Sequence, residues 1–367
     1  MKILAIDMGT GTQDILLFDS TGPVENSVKM VMPSATQIAA SRIRRATEAK
    51  RAIVLTGEIQ GGGPCHWALE DHLRAGLPAY ATAEAARTFD DDLTRVEAMG
   101  VKVVSDDEAA TVHDADRVEL RDLDLPAIRR ALGAFDVPPE FDGLALGCLD
   151  HGDAPADYSD RLFRFDHLKK VVETQDDLRA FALLEGEMPP YLTRAATMVR
   201  SARRDDPETP LVFLDTGPAA ALGALQDPAV AATKTQLVLN LGNMHALAFH
   251  LQGTRIISLY EHHTGEMSRE QIEDFSERLV QGTLPHEDVF NTKGHGVFHA
   301  HNGASPPVPE IVAVTGPQRG KILGSRLGPY FATPHGDMMI SGCFGLVQAF
   351  GVKHPEHRDE IEAALGV

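Results

Sequence analysis

Apolar residues in this chain come in short runs of strand length, separated by polar turns that are rich in glycine. Near the start, these runs predict strands at Ile3–Asp7, Ile15–Phe18 and Val28–Met32. Ser34 follows the third strand with a glutamine three residues later, a capping-box pattern that predicts the start of a helix. The first segment is therefore expected to fold as three strands and a helix.

The same order of elements recurs in the second half of the chain. Apolar runs predict strands at Leu237–Asn240, Ala246–Leu251 and Arg255–Tyr260. Ser268, again with a glutamine three residues later, predicts the start of the next helix. This agreement in type, order and capping chemistry indicates an internal repeat.

Two further pairs of segments extend the predicted repeat. Ala52–Gly62 resembles Glu310–Gly320, since each is an apolar strand that runs into a Thr-Gly turn. After a helical stretch, Pro78–Glu84 likewise resembles Pro329–His335. We therefore expect an α/β fold in which a β-β-β-α-β-α plan occurs twice.

Length and charge narrow the class of protein. A chain of 367 residues is about twice a typical single domain, and we place the domains at residues 1–155 and 156–367. The net charge of -19 argues against a nucleic-acid-binding protein, which usually presents a basic face. No apolar run approaches the ~20 residues of a membrane span, and the first residues are not a secretory signal. We expect a cytoplasmic protein without nucleic-acid or membrane partners.

The strongest local motif is the turn between the first two predicted strands. Its glycines allow a tight reversal and expose backbone N–H groups to an anion, and its threonines add hydroxyl donors. Asp7 at the strand end can hold Mg²⁺ through water. The alternative is a plain glycine-rich hairpin that Asp7 caps. The predicted phosphate-binding residues of this turn are Gly9, Thr10, Gly11, Thr12 and Gln13.

A second glycine turn, Asn240–His245, occupies the corresponding position in the second repeat. Gly242 and Asn243 are its predicted phosphate-binding residues, although the turn carries amide and imidazole side chains instead of hydroxyls. Two such hairpins that face each other would hold a polyphosphate from both sides. Metal and hydroxyl chemistry is therefore expected mainly from the first half of the chain.

These motifs resemble those of the actin/Hsp70/sugar-kinase ATPase superfamily, in the same order over nearly the whole chain. The resemblance implies duplicated ribonuclease H-like (actin-like ATPase) domains, with ATP and Mg²⁺ in the cleft between them. It also implies that Gly316, Pro317 and Gln318 lie beside the adenosine. The segments that carry it are Ile3–Gly22 and Leu237–Phe249 for the two phosphate loops, Val312–Gly328 for the adenosine motif, and Gly336–Gly351 for the following helix.

Two segments resemble carbohydrate kinases within this superfamily. Thr56–Gly62 is similar to their substrate-side loop, which implies that Glu58 and Gln60 face a ligand. Leu214–Leu225 is similar to the segment that holds their general base, which implies that role for Asp215, with Asp150 as a second candidate. Asp215 is equally suited to cap the helix that follows it. The long substrate-domain insertion of many sugar kinases is missing.

Several histidines have positions suited to ligand contact. His66 and His151 lie in predicted strand-end loops, where the crevices of α/β sheets bind ligands, and the alternative is an ordinary loop histidine. A metal ion could also be bound by a second group, for which the alternative is a polar loop. That group consists of His262, His263, His295, His299 and His301.

Over its whole length the chain is most similar to a branch of the superfamily whose members have been labelled pyruvate formate-lyase activating enzyme-like. That label implies radical chemistry, which needs a motif such as CxxxCxxC, and the three cysteines of this chain form no such motif. We expect an ATP-dependent phosphotransferase that acts on a small hydroxylated or carboxylated metabolite. The alternative is an ATPase switch that activates a partner enzyme. Assembly as a homodimer stays open.

Overall fold

The computed structural model describes residues 1–300 and 306–367. Among these residues, none of the helices has the length and apolar character to cross a membrane. The strands are β1 (Lys2–Met8), β2 (Thr12–Asp19), β3 (Val28–Pro33), β4 (Ala52–Gly57), β5 (Ala79–Thr82), β6 (Lys102–Val104), β7 (Ala115–Leu120), β8 (Gly143–Cys148), β9 (Ala182–Leu183), β10 (Leu211–Asp215), β11 (Thr235–Leu241), β12 (His245–Gln252), β13 (Arg255–His263), β14 (Gly296–His299), β15 (Ile311–Thr315) and β16 (Tyr330–Phe331).

The helices lie between these strands and after them. They are α1 (Ala35–Glu48), α2 (Pro64–Arg74), α3 (Ala83–Ala86), α4 (Leu93–Ala98), α5 (Asp106–Thr111), α6 (Leu125–Gly133), α7 (Asp160–Thr174), α8 (Thr193–Asp205), α9 (Thr216–Ala224), α10 (Pro228–Ala231), α11 (Arg269–Gln281), α12 (His286–Asn291), α13 (Ser341–Lys353) and α14 (Arg358–Leu365). The six strands and two helices predicted for the starts of the two repeats are all present.

Two six-stranded sheets follow the same plan. The first has the order β3-β2-β1-β8-β10-β9, and the second has the order β14-β13-β12-β11-β15-β16. In each sheet three consecutive strands form an antiparallel meander. The first strand of that meander then pairs in parallel with a strand from later in the chain, β8 or β15. The predicted recurrence of the three-strand segment is therefore seen in the sheet topology.

The predicted pairing of the later segments is wrong. β4 and β5 do not join the first sheet, because they lie in a separate four-stranded parallel sheet of order β6-β5-β4-β7. The counterpart of β15 in the first sheet is β8, and β10 follows it. Residues between β3 and β8 thus form an inserted unit. Its helices α1–α4 and strands β4–β7 share an apolar core of their own, whereas its last helix, α6, packs on the first sheet. β4 resembles β15 in sequence because a short apolar strand that ends in glycine has the same pattern in either sheet.

The domain boundary predicted at residue 155 does not coincide with the division between the sheets. β9 and β10 lie after that boundary and nevertheless pair within the first sheet. The capping prediction also differs between the repeats. Ser268 accepts a hydrogen bond from the backbone N–H of Gln271, whereas the hydroxyl of Ser34 donates to the carbonyl oxygen of Thr10 over 2.7 Å. Ser34 therefore ties the start of α1 to the first glycine turn.

Alternation along β1 assigns its side chains to two different cores. Ile3 and Ala5 face a core that is shared with α9, α13 and the second sheet, whereas Leu4 and Ile6 face α6 and α8. Successive residues of a strand point to opposite faces, so a strand buried on both faces needs this continuous apolar run. The resulting order of layers is α6 and α8, the first sheet, α9 and α13, the second sheet, and α11.

The central layer depends on two glycines where α9 and α13 cross. A methyl group at Gly223 would overlap the backbone carbonyl of Ser341, and one at Gly345 would overlap the carbonyl of Ala219. The helices approach this closely only because neither position has a side chain. This approach brings the first turns of both helices to the same place between the two sheets.

We expect Gly223→Ala to lower the free energy of unfolding by about 1–3 kcal/mol, because the added methyl group has only backbone atoms to displace. Urea titration followed by circular dichroism measures the change. Gly133→Ala is the matched control, since open space surrounds that position on α6, and it should be neutral or slightly stabilising. Equal effects of the two substitutions would contradict the packing argument.

Candidate functional site

A cleft opens between the two sheets, and each glycine turn forms one side of it. The turn between β1 and β2 is closed by a hydrogen bond from Gly9 N–H to the carbonyl oxygen of Thr12 over 3.0 Å. The turn between β11 and β12 is closed in the same way, from Gly242 N–H to His245 over 3.0 Å. A Cβ atom at either glycine would press on the accepting carbonyl, at 3.1 and 2.8 Å respectively. The two turns thus need glycine for the same steric reason.

The turns meet across the cleft, and two helices begin on its floor. Gly11 has no room for a side chain because the Asn243 amide occupies that space. Thr216 is the first residue of α9, and Ser341 is the first residue of α13. Helix N-termini present unpaired N–H groups and the positive end of a dipole. The described residues that line the cleft include Asp7, Gly9, Thr10, Thr12, Asp14, Arg194, Thr216, Gly242, Asn243, His245, Gly316, Pro317, Ser341 and Gly342.

Two carboxylates stand side by side in this cleft. Asp7 and Asp14 are direct partners in the antiparallel pairing of β1 with β2. Asp7 accepts a hydrogen bond from the Thr216 hydroxyl over 2.6 Å, whereas Asp14 Oδ1 is buried and has no hydrogen-bond partner in the described part of the chain. Burial raises the pKa of Asp7 to about 6, and burial together with the neighbouring Asp7 raises the pKa of Asp14 to about 8. When both are ionised, two opposed carboxylates can hold a cation between them.

The predicted adenosine residues lie at the other side of the cleft. Gly316 has a φ of +93°, and a side chain there would overlap the backbone of Leu241 in the second sheet. Gln318 donates from its backbone to the carbonyl oxygen of Leu241 over 2.9 Å and from its side chain to Asn243 Oδ1 over 3.4 Å. The turn after β15 is therefore attached to the second glycine turn. Gly316 and Pro317 line the cleft, whereas Gln318 bonds to Leu241 and Asn243 beside it.

Neither predicted general base lines the cleft. Asp215 forms a buried ion pair with Arg164 through both carboxylate oxygens, and it caps α9 by accepting from Gly217 N–H. Asp150 accepts from the backbone N–H groups of Gly152 and Ala195 over 2.8 and 2.9 Å. Asp215 therefore caps α9 in the structure, which is one of the two roles predicted for it.

The predicted substrate-side residues are spread over the inserted unit and do not meet at one point. Glu58 pairs with Arg204 and accepts from the Ser201 hydroxyl, so it joins the inserted unit to α8. Gln60 is 3% exposed and accepts from Arg121 N–H over 3.0 Å. His66 lies near Glu70 on α2, with 3.6 Å between Nε2 and Oε1. Gln13, predicted to bind phosphate, instead donates to the carbonyl oxygen of Pro33 over 2.9 Å.

A cluster of imidazoles adjoins the cleft. His245, the first residue of β12, has Nε2 3.4 Å from Nε2 of His151, which follows β8. The His295 ring centroid is 5.3 Å from that of His151, 4.9 Å from that of His245 and 4.7 Å from that of His263. Burial lowers the pKa of His151 to about 3 and that of His263 to about 4, so these rings are neutral at pH 7.

This cluster differs from the one predicted from sequence. His295 and His263 belong to it, but His262 bonds to Thr292 and to the carbonyl oxygen of His263. His299 bonds to the carbonyl oxygen of Leu284 over 3.0 Å. His301 lies outside the described residues. His151 and His245 take the places of these three histidines, although they are far from His295 in the sequence.

A buried chain of charges joins the histidine cluster to the cleft. Glu261 Oε1 bonds to Nδ1 of His245 over 2.9 Å, and its other oxygen accepts from Arg164 Nε over 3.1 Å. Arg164 pairs in turn with Asp215, and the next residue, Thr216, bonds to Asp7. Although burial alone would raise it, Arg164 and the nearby histidines hold the pKa of Glu261 well below its usual range.

Sequence reasoning missed several residues of the cleft. Asp14 could have been found, because in a hairpin that turns at Gly9–Gly11 the register places residue 14 opposite Asp7. Arg194 had no local signal. It donates to the carbonyl oxygen of Leu149 over 2.6 Å and pairs with Asp122 of the inserted unit. Gly342 lies so close to the Asp7 carboxylate that no larger residue fits there.

Most of the chain, residues 60–321, matches the model of a family described as "Putative pyruvate format-lyase activating enzyme (DUF1786)". The chain therefore belongs to this family. A search of curated proteins finds no significant match.

Among solved structures, the chain is similar to a ROK hexokinase from Thermus thermophilus and to a Ppx/GppA family member from Aquifex aeolicus. The first similarity has a TM-score of 0.32 and 11% sequence identity, and it covers 97% of this chain and 100% of the hexokinase. The second has a TM-score of 0.31 and 9% identity, and it covers 100% of this chain and 87% of the other. Similarities of this strength carry no functional argument.

The cysteines do not fit the iron–sulfur cluster that the family's description implies. Cys65 lies in the core of the inserted unit, Cys148 in the core between the first sheet and α8, and Cys343 in the core shared by both sheets. All three are buried free thiols. A four-iron cluster needs several thiolates at one point, and these three thiols occupy separate cores. The residues present therefore give no support for radical chemistry at such a cluster.

Proposed function

We propose that this chain is an ATP-binding member of the actin/Hsp70/sugar-kinase superfamily that transfers a phosphoryl group from Mg²⁺-ATP to a small hydroxylated or carboxylated metabolite. The observation that carries the proposal is the convergence of two glycine turns and two helix N-termini on one cleft. These elements direct backbone N–H groups and positive dipole ends to a common volume, which suits a polyphosphate. In this proposal the two sheets belong to two ribonuclease H-like domains that hold the nucleotide between them.

In the proposed complex, the phosphates lie between Gly9–Thr12 and Gly242–Asn243, with the adenosine beside Gly316. Mg²⁺ would be held near Asp7 and Asp14, partly through water, because Mg²⁺ binds one or two carboxylates plus phosphate oxygens. Arg194 lines the cleft and can compensate phosphate charge that develops in transfer. The contribution of the protein would then be positioning and electrostatic stabilisation.

The acceptor is proposed to bind in a polar pocket on the other side of the histidine cluster. His151 belongs to the lining of this pocket, together with Arg87, Asp91 and Asp153. Burial and the nearby Asp153 raise the pKa of Asp91 to about 6. Carboxyl and guanidinium groups of this kind recognise hydroxyl or carboxylate groups of a ligand.

A specific observation favours the alternative, an ATPase switch that acts on a partner enzyme. Both candidate bases, Asp215 and Asp150, have their oxygens engaged in structural bonds, so neither is directed at a substrate hydroxyl. Hydrolysis needs only a water molecule oriented towards the γ-phosphate. The two functions would share the nucleotide cleft and differ in the acceptor.

Calorimetric titration with a non-hydrolysable ATP analogue and Mg²⁺ tests the nucleotide site. Incubation of γ-labelled ATP with a pool of metabolites then separates the two functions. A kinase would move the label to a metabolite, whereas a switch would release only inorganic phosphate. Absence of Mg²⁺-dependent ATP binding by folded protein would refute both.

The affinity for Mg²⁺ should rise with pH. Metal binding requires ionised carboxylates, and the pKa values of about 6 for Asp7 and about 8 for Asp14 mean that protons must leave. We expect the binding constant to increase about tenfold per pH unit between pH 6 and 8, where mainly Asp14 is protonated, and to level off above pH 8. Titration of the complex with the ATP analogue measures this dependence. In Asp14→Asn the dependence that remains should be that of ATP itself, and an unchanged slope in that variant would contradict the assignment.

A further inference from the structure

The spacing of the clustered histidines matches the coordination sphere of a zinc ion. In tetrahedral zinc sites the Zn–N distance is ~2.0–2.1 Å, which places two ligand nitrogens about 3.4 Å apart. Nε2 of His151 and Nε2 of His245 are separated by 3.4 Å. His295 brings a third ring, and one ligand atom from each of the three histidines lies within 4.8 Å of the others. A movement of His295 on the order of 1 Å would complete a three-histidine set.

Packing alone does not account for His295. Its side chain is fully buried, and neither ring nitrogen has a hydrogen-bond partner among the residues that the structure describes. A buried polar group without a partner costs about 1–3 kcal/mol. Histidine rings packed only against one another would therefore destabilise the fold. A bound metal ion would use the lone pair of one of these nitrogens.

The surroundings of His245 are those of a metal ligand. Glu261 bonds to Nδ1, which fixes the orientation of the ring and leaves the Nε2 lone pair directed at His151. Glu261 is itself held by Arg164, so the support is buried and charged. Histidines that bind a metal ion through one ring nitrogen usually donate the N–H of the other to a carboxylate, a carbonyl or water.

We infer that His151, His245 and His295 bind a divalent transition-metal ion, with Zn²⁺ as the expected species. Three imidazoles favour zinc over Mg²⁺, which prefers oxygen ligands, so this site is chemically distinct from the carboxylates of Asp7 and Asp14. Because three ligands converge among the described residues, a further coordination position stays open for a ligand oxygen.

The position of the site indicates what the open coordination position would bind. His245 lines the cleft, and His151 lines the polar acceptor pocket. A metal ion between them would contact a hydroxyl or carboxylate oxygen of the acceptor and lower the pKa of a bound hydroxyl. This role rests on the proposed function; the proton of the metal-bound hydroxyl would pass to water, since the oxygens of Asp215 and Asp150 are engaged in structural bonds. The binding of the metal ion does not depend on that function.

The test uses the full chain after chelation of metals and dialysis, with Zn²⁺ or Co²⁺ added alone. We expect one ion per chain after gel filtration, measured by mass spectrometry, and a Co²⁺ visible spectrum typical of four or five ligands. His151→Gln and His245→Gln should each weaken Zn²⁺ binding by more than about 100-fold, since loss of an outer-shell partner alone costs 10–100-fold. His113→Gln is the matched control, because that histidine is exposed and remote from the cluster.

Thermal unfolding without metal identifies any variant that fails to fold. His151 is only partly buried, so its variant remains informative if the fully buried His295 tolerates no change. The inference is overturned if the folded wild-type chain retains no stoichiometric Zn²⁺ or Co²⁺, or if folded His151→Gln binds as tightly as the control. ATP binding by the zinc-free chain with Mg²⁺ is measured separately, so failure of the zinc site and failure of the proposed function are distinguishable.

Discussion

Asp7→Asn should abolish nearly all Mg²⁺-dependent ATP turnover while leaving the fold intact. The substitution removes the carboxylate that faces Asp14 across the hairpin, yet the amide oxygen can still accept the hydrogen bond from Thr216. Loss of a charge that positions the metal ion costs several kcal/mol of transition-state stabilisation, so we expect kcat/KM to fall at least about 100-fold. Phosphate release or label transfer at saturating Mg²⁺ measures the effect.

The Asp7→Asn substitution should not lower the free energy of unfolding, so a loss of turnover can be distinguished from a loss of fold. Burial raises the pKa of Asp7 to about 6, so the folded state binds its proton more tightly than the unfolded state does. The stability contributed by that proton is complete below pH 4 and is lost as the pH rises through 6. Without metal at pH 8, the neutral asparagine should therefore leave the chain as stable as the wild type or more so. Asp114→Asn, at an exposed position just before β7, is the control and should change neither property.

Arg164→Met should destabilise the fold more than the loss of an exposed ion pair does. Arg164 is 0% exposed and neutralises two carboxylates, Asp215 and Glu261, that are themselves almost completely buried. Its removal would leave both charges unpaired, and breaking a buried ion pair in this way costs about 3–5 kcal/mol. Urea unfolding at neutral pH measures the loss.

Two further variants test whether the loss of stability comes from the buried charges. Arg255→Met breaks the ion pair with Asp176, whose side chains are 63% and 41% exposed, and should cost less than about 1 kcal/mol. Glu261→Gln in the Arg164→Met background removes one stranded charge and should restore part of the stability. If Arg164→Met and Arg255→Met had equal effects, the buried network would not stabilise the fold.

The sequence predicted the three-strand meanders and the two glycine turns because these are local features. Apolar alternation and turn chemistry act within about ten residues, and the structure has strands and turns at the predicted positions. The cleft-lining residues Gly9, Thr10 and Gly242 follow from the same signals, whereas the place of Gly316 at the cleft was expected from the family resemblance. The position of a residue at the cleft could be predicted wherever a local turn determines it.

Sheet membership and the histidine cluster depend on long-range packing, and no local pattern encodes either. β4 and β8 are both short apolar strands, but only β8 pairs with β1. His151, His245 and His295 are far apart in the sequence, and they meet only because β8 ends where β12 and β14 begin. Clustering along the sequence therefore selected His299, which bonds elsewhere, and overlooked His151 and His245.

The close approach of Gly342 to Asp7 has a consequence for synthesis of the chain. These residues are separated by almost all of the 367 positions, and the start of α13 packs against the Asp7 carboxylate in the folded chain. At ribosomal speeds of ~5–20 residues per second, Asp7 is made on the order of tens of seconds before Gly342. A nascent chain can fold its first hairpin early, but it has no finished cleft. If the proposed function holds, truncated products of translation would therefore consume no ATP.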